Sequence, residues 1–307
     1  MAFSDHPILI FDGACGTNLQ QMSIPDDAWA GCDGCNEILN LYAPEVIVQL
    51  HQSMLDAGSM VVETDTFGAS SVVLAEYDLQ DKVKEINRAA VDNARKAIAG
   101  RPEKYIAGSV GPGTKLPSLG HISVADLARA TREQVEALLE AGVDCLIIET
   151  CQDLLQTKTA IISAFEVLES GKLDLPVLAS VTIEQQGTML VGSDIAAVVA
   201  TLEPFNLLSL GLNCATGPQD MASHIRYLSH HWPGRISVIP NQGLPEVVNG
   251  QTAYPLSPED FAKQMYRFVT DLGVSIVGGC CGTSPAHIKA LSEKLKGAVP
   301  AKREVSQ

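Results

Sequence analysis

The feature that most constrains this chain is a rhythm. A short apolar run, a polar turn and a longer stretch with apolar residues at helical spacing recur along its whole length. The apolar runs fall at 8–11, 60–63, 105–110, 145–150, 177–182, 207–214, 236–241 and 274–277. Runs this short, closed by glycine or polar residues, read as buried strands. Helices are expected from Pro44, over 81–99, from Val124 to near Gly142, over 154–169, and after Ser193 or Asp194 as cap. A further helix carries Phe261, Met265, Phe268, Val269 and Leu272 on one face, and Ser284-Pro285 opens the last. Eight strand–helix units in 307 residues imply a (β/α)₈ TIM barrel over residues 1–298, with 299–307 a polar tail expected to fray. A doubly wound open sheet is the competing arrangement, but no Gly-x-Gly-x-x-Gly opens a helix after the first strand. The polar loop holding Gly187 and Gly192 suggests a small hairpin, and the long excursion over 20–41 suggests function or dense packing.

Composition removes several classes of function. A net charge of -15 argues against a nucleic-acid partner, which requires a basic footprint. No uninterrupted apolar stretch approaches the ~18 residues that span a bilayer, and Lys and Arg form no membrane-binding run. No secretory signal is visible at the start, so a cytoplasmic setting with reduced thiols is expected. Eight cysteines in that setting point to metal or chemistry more than to disulfides.

In a barrel of this kind, chemistry gathers at the C-terminal ends of the strands. Those ends supply Asp12, Thr64, Asp65, Thr66, Glu149, Cys214, Asn241, Cys280 and Cys281. Cys280 and Cys281 stand between glycines, just past an apolar run. Neighbouring side chains of a strand point to opposite faces, so adjacent cysteines meet one ion only where the backbone turns. Glycines permit that turn. Cys214 ends another apolar run and offers a third thiolate for a tetrahedral zinc shell. The alternative is unrelated core cysteines, since free cysteine is often buried.

The segments 12–17 (DGACGT), 63–68 (ETDTFG), 211–214 (GLNC) and 278–283 (GGCCGT) resemble the homocysteine S-methyltransferase family. With 240–243 (PNQG) and 254–256 (YPL), the likeness is narrower, to the homocysteine-binding module of cobalamin-dependent methionine synthases. That resemblance implies zinc held by Cys214, Cys280 and Cys281, with Asn241 filling the fourth position when substrate is absent. It implies that Asp12 and Glu149 contact the ammonium of homocysteine. It also implies methylcobalamin on a separate corrinoid protein or module as methyl donor, with S-methylmethionine or betaine as the alternative. The folate, cobalamin and reactivation modules of such synthases have no counterpart in this chain. Asp65 departs from the family, whose closest members usually carry Asn there. Cys15 stands where relatives vary and reads as a spectator thiol.

The chemistry suits these residue types. A free alkyl thiol has a pKa near ~8.5 and is mostly protonated at neutral pH. Zinc with one open position takes the thiol as thiolate, ready to attack a methyl group. Backbone N–H groups around Gly13 and Ala14 suit the substrate carboxylate, and Thr64 and Thr66 suit orienting roles or plain structural hydrogen bonds. A non-catalytic thiol-binding zinc barrel is the rival of another class. The other motifs read as structural. They are the phosphate-loop fragment at 111–115, the Cys32-x-x-Cys35 surface loop, the packing residues Cys145 and Cys151, and His230-His231 at a helix end.

Overall fold

The computed structural model describes residues 2–244, 246–248 and 251–305. Eight parallel strands form the central sheet: β1 (Leu9–Ile10), β2 (Val61–Glu63), β3 (Tyr105–Val110), β4 (Cys145–Cys151), β5 (Val177–Val181), β6 (Ser209–Asn213), β7 (Arg235–Ile239) and β10 (Ile276–Val277). Each pairs with its neighbours in parallel register, in the order β1-β10-β7-β6-β5-β4-β3-β2. A bridge between Phe11 and Val61 joins the two ends, and the ring is a (β/α)₈ barrel.

Strand alternation explains why the sequence runs were apolar throughout rather than at every second residue. Leu9, Phe11, Val61, Ala107, Cys145, Ile147, Leu178, Ile239 and Ile276 pack together as one core cluster. Their strand neighbours Ile10, Val62, Ile106, Leu146, Ile148 and Val177 belong to another, shared with the helices. Both faces of each strand are therefore dry, as a parallel barrel requires. Cys145 and Cys151 are buried in these layers, as packing residues should be.

The helices that cover the strands are α1 (Pro44–Ala57), α2 (Val83–Ile98), α3 (Val124–Ala141), α4 (Leu154–Gly171), α5 (Ile195–Leu202), α6 (Pro218–His231), α7 (Pro258–Leu272) and α8 (Pro285–Lys294). Their starts carry the expected chemistry. Proline occupies an early position in α1, α6, α7 and α8. Ser123, Asp153, Asp194 and Ser257 each accept a backbone N–H as N-cap. Asp194 Oδ1 accepts from Ala197 N at 2.8 Å. Replacing it with Ala is expected to cost about 1 kcal/mol. Chemical denaturation checks this, and an unchanged midpoint refutes it.

Two expectations are corrected. The loop with Gly187 and Gly192 is not a hairpin but two successive turns, with Gly187 N donating to Glu184 O and Gly192 N to Met189 O. The hairpin lies later, between β7 and α7, where β8 (Glu246–Val248) pairs antiparallel with β9 (Gln251–Ala253). The polar tail is also not frayed over its described part. Ala301 N donates to Val269 O at 2.9 Å, and the Arg303 guanidinium donates to Trp232 O at 2.7 Å and to Gly234 O. A charged residue anchored on bare turn carbonyls holds the strand of chain that composition alone marked as loose.

Candidate active site

At the C-terminal rim of the barrel, β6 ends at Asn213 and the chain reverses through Cys214 and Ala215, at φ of 56° and 57°. This left-handed conformation is costly for residues with a Cβ, by about 1 kcal/mol or more each. It carries Cys214 out of the strand's alternation. Cys214 N still donates to Ile239 O at 3.1 Å, so the turn stays tied to β7. The other two cysteines come from the turn after β10. A Cβ at Gly278 would lie 2.8 Å from that of Phe11, and one at Gly279 would strike the Thr283 side chain, so the turn closes only with glycine there. Thr283 Oγ1 donates to Cys280 O at 2.6 Å, while Asn18 Nδ2 donates to Thr283 O at 2.9 Å and to Ala14 O. The turns after β1 and β10 thus brace each other.

The three half-buried thiols converge. Their sulfurs all lie within 4.8 Å of one another, and Cys214 Sγ is 3.9 Å from Cys281 Sγ. A tetrahedral ion with metal–sulfur bonds of about 2.3 Å places its sulfurs about 3.8 Å apart. Contacts with Cys214 and then Cys280 pull Cys281 down to about 3. Contacts with Cys214 and Cys281 push Cys280 well up. Cys214 is drawn down by Cys280 but driven up by Cys281 and by burial, reaching about 11. Three thiols this close oppose one another's ionisation, and ionising all three requires a cation among them. Asn241 is 4 % exposed, and its Oδ1 is buried with no hydrogen-bond partner among the described residues. Its chain neighbours are tied to the cysteine turn, Cys280 N donating to Pro240 O and Gln242 N to Cys281 O, so an orphaned amide oxygen on this segment fits a labile fourth ligand. The donor set is thus one that zinc accepts.

Tyr254, which follows the hairpin, hydrogen-bonds Cys281 with its side chain, and its ring lies against Gly282. The sequence reading used this tyrosine only as part of a likeness and assigned it no contact.

A cavity of about 370 Å³ opens from the cysteines across the barrel mouth. Asp12, Gly13, Ala14, Cys15, Glu37, His51, Glu63, Asp65, Phe67 and Glu149 are among its lining residues. Asp12 Oδ2 accepts the Glu63 backbone N–H at 3.1 Å. Glu149 sits where the register between β4 and β5 shifts, next to Thr150 at φ 57°. Such irregularities re-aim side chains at barrel rims. Ser109 Oγ donates to Glu149 Oε1 at 2.5 Å, and Asn213 Nδ2 donates to Glu149 Oε2 at 3.3 Å. Asn213 is itself fixed by Ser180 Oγ and Thr150 N, which donate to its Oδ1 at 2.7 and 2.9 Å. The side chain before Cys214 therefore orients the acid across the cavity. Burial pushes Asp12, Glu63 and Glu149 above the usual carboxylate range. Glu63 was missed as a site residue because it reads as the last position of a strand.

Not every expected contact faces the cavity. Thr66 is fully buried and is not among the lining residues; its hydroxyl donates to Ser109 O at 2.7 Å and meets Thr64 Oγ1. Ala14 N donates to Thr283 O and Oγ1 at 3.3 and 3.2 Å, so that amide is already engaged. Cys35 is not a surface thiol: it is buried, and its Sγ donates to Glu37 Oε2 at 3.6 Å. His231 stacks on Tyr227 at the end of α6 and has no place in the metal cluster.

The family model described as homocysteine S-methyltransferase matches residues 9–295. The chain belongs to that family. It is similar to the methionine synthase of Mycobacterium tuberculosis, with 41% identity over 303 residues, covering 97% of this chain and 25% of that one. The Mycobacterium leprae methionine synthase is 40% identical over 289 residues. The chain therefore spans about a quarter of the length of these relatives. Among solved structures, the metallated form of the homocysteine methyltransferase MmuM from Escherichia coli superposes with a TM-score of 0.73 at 25% identity, covering 94% of this chain and 96% of that one. Among the described residues, no helix is long and apolar enough to cross a membrane.

Proposed function

We propose that this protein is a methyltransferase that converts homocysteine to methionine at the rim cysteines, with zinc as its resident metal. The observation that carries this reading is the convergence of Cys214, Cys280 and Cys281 on one edge of an acid-lined cavity. Those three thiols would hold the ion, and Asn241 would complete its shell. Zinc so held supplies the Lewis acidity that lets an alkyl thiol ionise at neutral pH.

The chain's own residues do the rest. Asp12 and Glu149 accept the substrate ammonium as charged hydrogen-bond partners. Ser109 and Asn213 keep the Glu149 carboxylate aimed while that contact forms. Leu50, Met54 and Ile239 supply an apolar wall for the methylene chain. Backbone amides near Gly13 remain the candidate for the carboxylate. Holding both ends of the substrate fixes the sulfur for in-line attack on a methyl group arriving from the open side.

The methyl donor is proposed to be methylcobalamin carried by a separate corrinoid protein or module. The narrow motif likeness supports this. A second reading is a small cationic donor such as S-methylmethionine, for which the further acids Glu37 and Asp65 in the cavity wall would serve as counter-charges by giving up their protons. One experiment separates the readings. Zinc-loaded protein is given homocysteine with each donor, and methionine is scored beside zinc-edge absorption. A fourth sulfur on adding homocysteine, and turnover with methylcobalamin, are the expected results. Turnover from S-methylmethionine at an equal or greater rate refutes the cobalamin assignment. Homocysteine binding without turnover from any donor marks a binding module.

A further inference from the structure

We propose that Glu63 makes the site demand an α-amino group on its thiol substrate, the Glu63–Glu149 carboxyl pair closing on the substrate ammonium. This deepens the homocysteine reading and rests on it.

Glu63 ends β2 and lies between the two acids already assigned. Its backbone N–H is donated to Asp12 Oδ2 at 3.1 Å, and its side chain hydrogen-bonds the Glu149 carboxyl. The strand ends of β1, β2 and β4 thus bring three carboxyl groups to one wall of one cavity. No Lys or Arg is among the described lining residues. His51, the histidine there, is 2 % exposed, and burial holds it down to about 4, so it carries no charge at neutral pH. Two touching carboxyl groups need a proton or a cation between them. An ammonium supplies both a charge and several N–H donors, and can replace the shared proton.

The three acids are not equivalent. Both oxygens of Glu149 accept from neighbours, Ser109 on one side and Asn213 with Thr150 on the other. Asp12 is tied to the β2 backbone. Among the described residues, the Glu63 side chain hydrogen-bonds Glu149 and is the acid least committed to the scaffold. A thiol lacking the amino group leaves this wall with three acids and no counter-charge. Such a ligand loses the contact that selects homocysteine, even though its sulfur is chemically the same.

The test is calorimetric titration of the zinc-loaded chain with homocysteine and with 4-mercaptobutanoate, which is homocysteine without its amino group. Wild type is expected to prefer homocysteine. Glu63→Gln keeps a hydrogen bond to Glu149 but loses the charge. It is expected to weaken homocysteine about tenfold to hundredfold, the range of a charged hydrogen bond. The affinity for 4-mercaptobutanoate should stay level or rise. A folded Glu63→Gln variant with the wild-type preference overturns the proposal, because a merely structural Glu63 predicts that result. If Glu63→Gln does not fold, Glu63→Asp carries the test. A selective loss for homocysteine supports the proposal, and equal loss for both thiols overturns it. Wild type that binds neither thiol overturns the homocysteine reading itself, which is a different outcome from a retained preference.

Discussion

Replacing Cys281 with Ser is expected to abolish the proposed zinc binding and the proposed methyl transfer together. A serine hydroxyl does not ionise near neutral pH, so the shell falls from three thiolates to two. Cys281 is also the thiol that contacts with Cys214 and Cys280 shift downward, and it lies 3.9 Å from Cys214 Sγ. Removing it leaves Cys214 and Cys280 as the remaining thiols of the trio. The loss should exceed the ~10–100-fold that follows removal of an outer hydrogen-bond partner of a metal ligand. The fold should survive, because the residue is half-buried at the rim, while the dry layers on both faces of the strands lie below it. Metal analysis after gel filtration, turnover and circular dichroism on one preparation check the three parts. A folded variant with full zinc content and full activity refutes the ligand assignment.

The parts of this molecule that were readable from sequence are those governed by local chemistry. Strand positions showed because each barrel strand is dry on both faces, so Leu146-Ile147-Ile148 is apolar without a break. Helix starts showed because proline and capping residues act within one turn. The cysteine trio was legible for a different reason. Three thiols at two strand ends have few uses, and the barrel puts strand ends together. What failed was long-range or ambiguous. The hairpin signal was in fact present as Asn249-Gly250, a favoured two-residue turn, although those two residues lie outside the described structure. The glycines at 187 and 192 drew the expectation instead. The docking of Arg303 depends on carbonyls about seventy residues earlier, which no local pattern announces. The same holds for the Ser109–Glu149–Asn213 network, whose members belong to β3, β4 and β6. Glu63 and Thr66 show the limit most clearly. Both stand in one motif after β2 begins, yet one lines the cavity and the other is fully buried behind it.

Asp65 gives the largest expected effect on stability. Its carboxyl is 4 % exposed, and burial, aided by the neighbouring Glu37 charge, pushes it up to about 8. Cys15 Sγ donates to its Oδ1 at 3.4 Å and Asn40 Nδ2 to its Oδ2 at 3.1 Å, contacts that offset burial only in part. Glu37 itself is raised by burial, accepting from Gly68 N and Cys35, and Cys15 is raised well up, so no cation faces Asp65 from these elements. The sign follows from linkage. A folded pKa above the unfolded value of 3.8 means that the folded state binds the extra proton. The stability this confers is complete below the unfolded value and is lost as pH rises through about 8. Each pH unit in that window costs about 1.4 kcal/mol at most. Asp65→Asn has no such proton to lose. At pH 5 the variant should match wild type or fall slightly below it, since its amide N–H₂ turns a donor toward Asn40 or Cys15. At pH 8.5 it should be more stable by about 2–4 kcal/mol relative to its standing at pH 5. Asp12, Glu63 and Glu149 lose stability in the same direction, but they do so in both proteins and largely cancel in the difference. Urea titrations of both proteins at the two pH values measure it. Parallel pH dependence in the two proteins would show that Asp65 is ionised within the fold, and that the cavity wall is more polar than its lining residues imply.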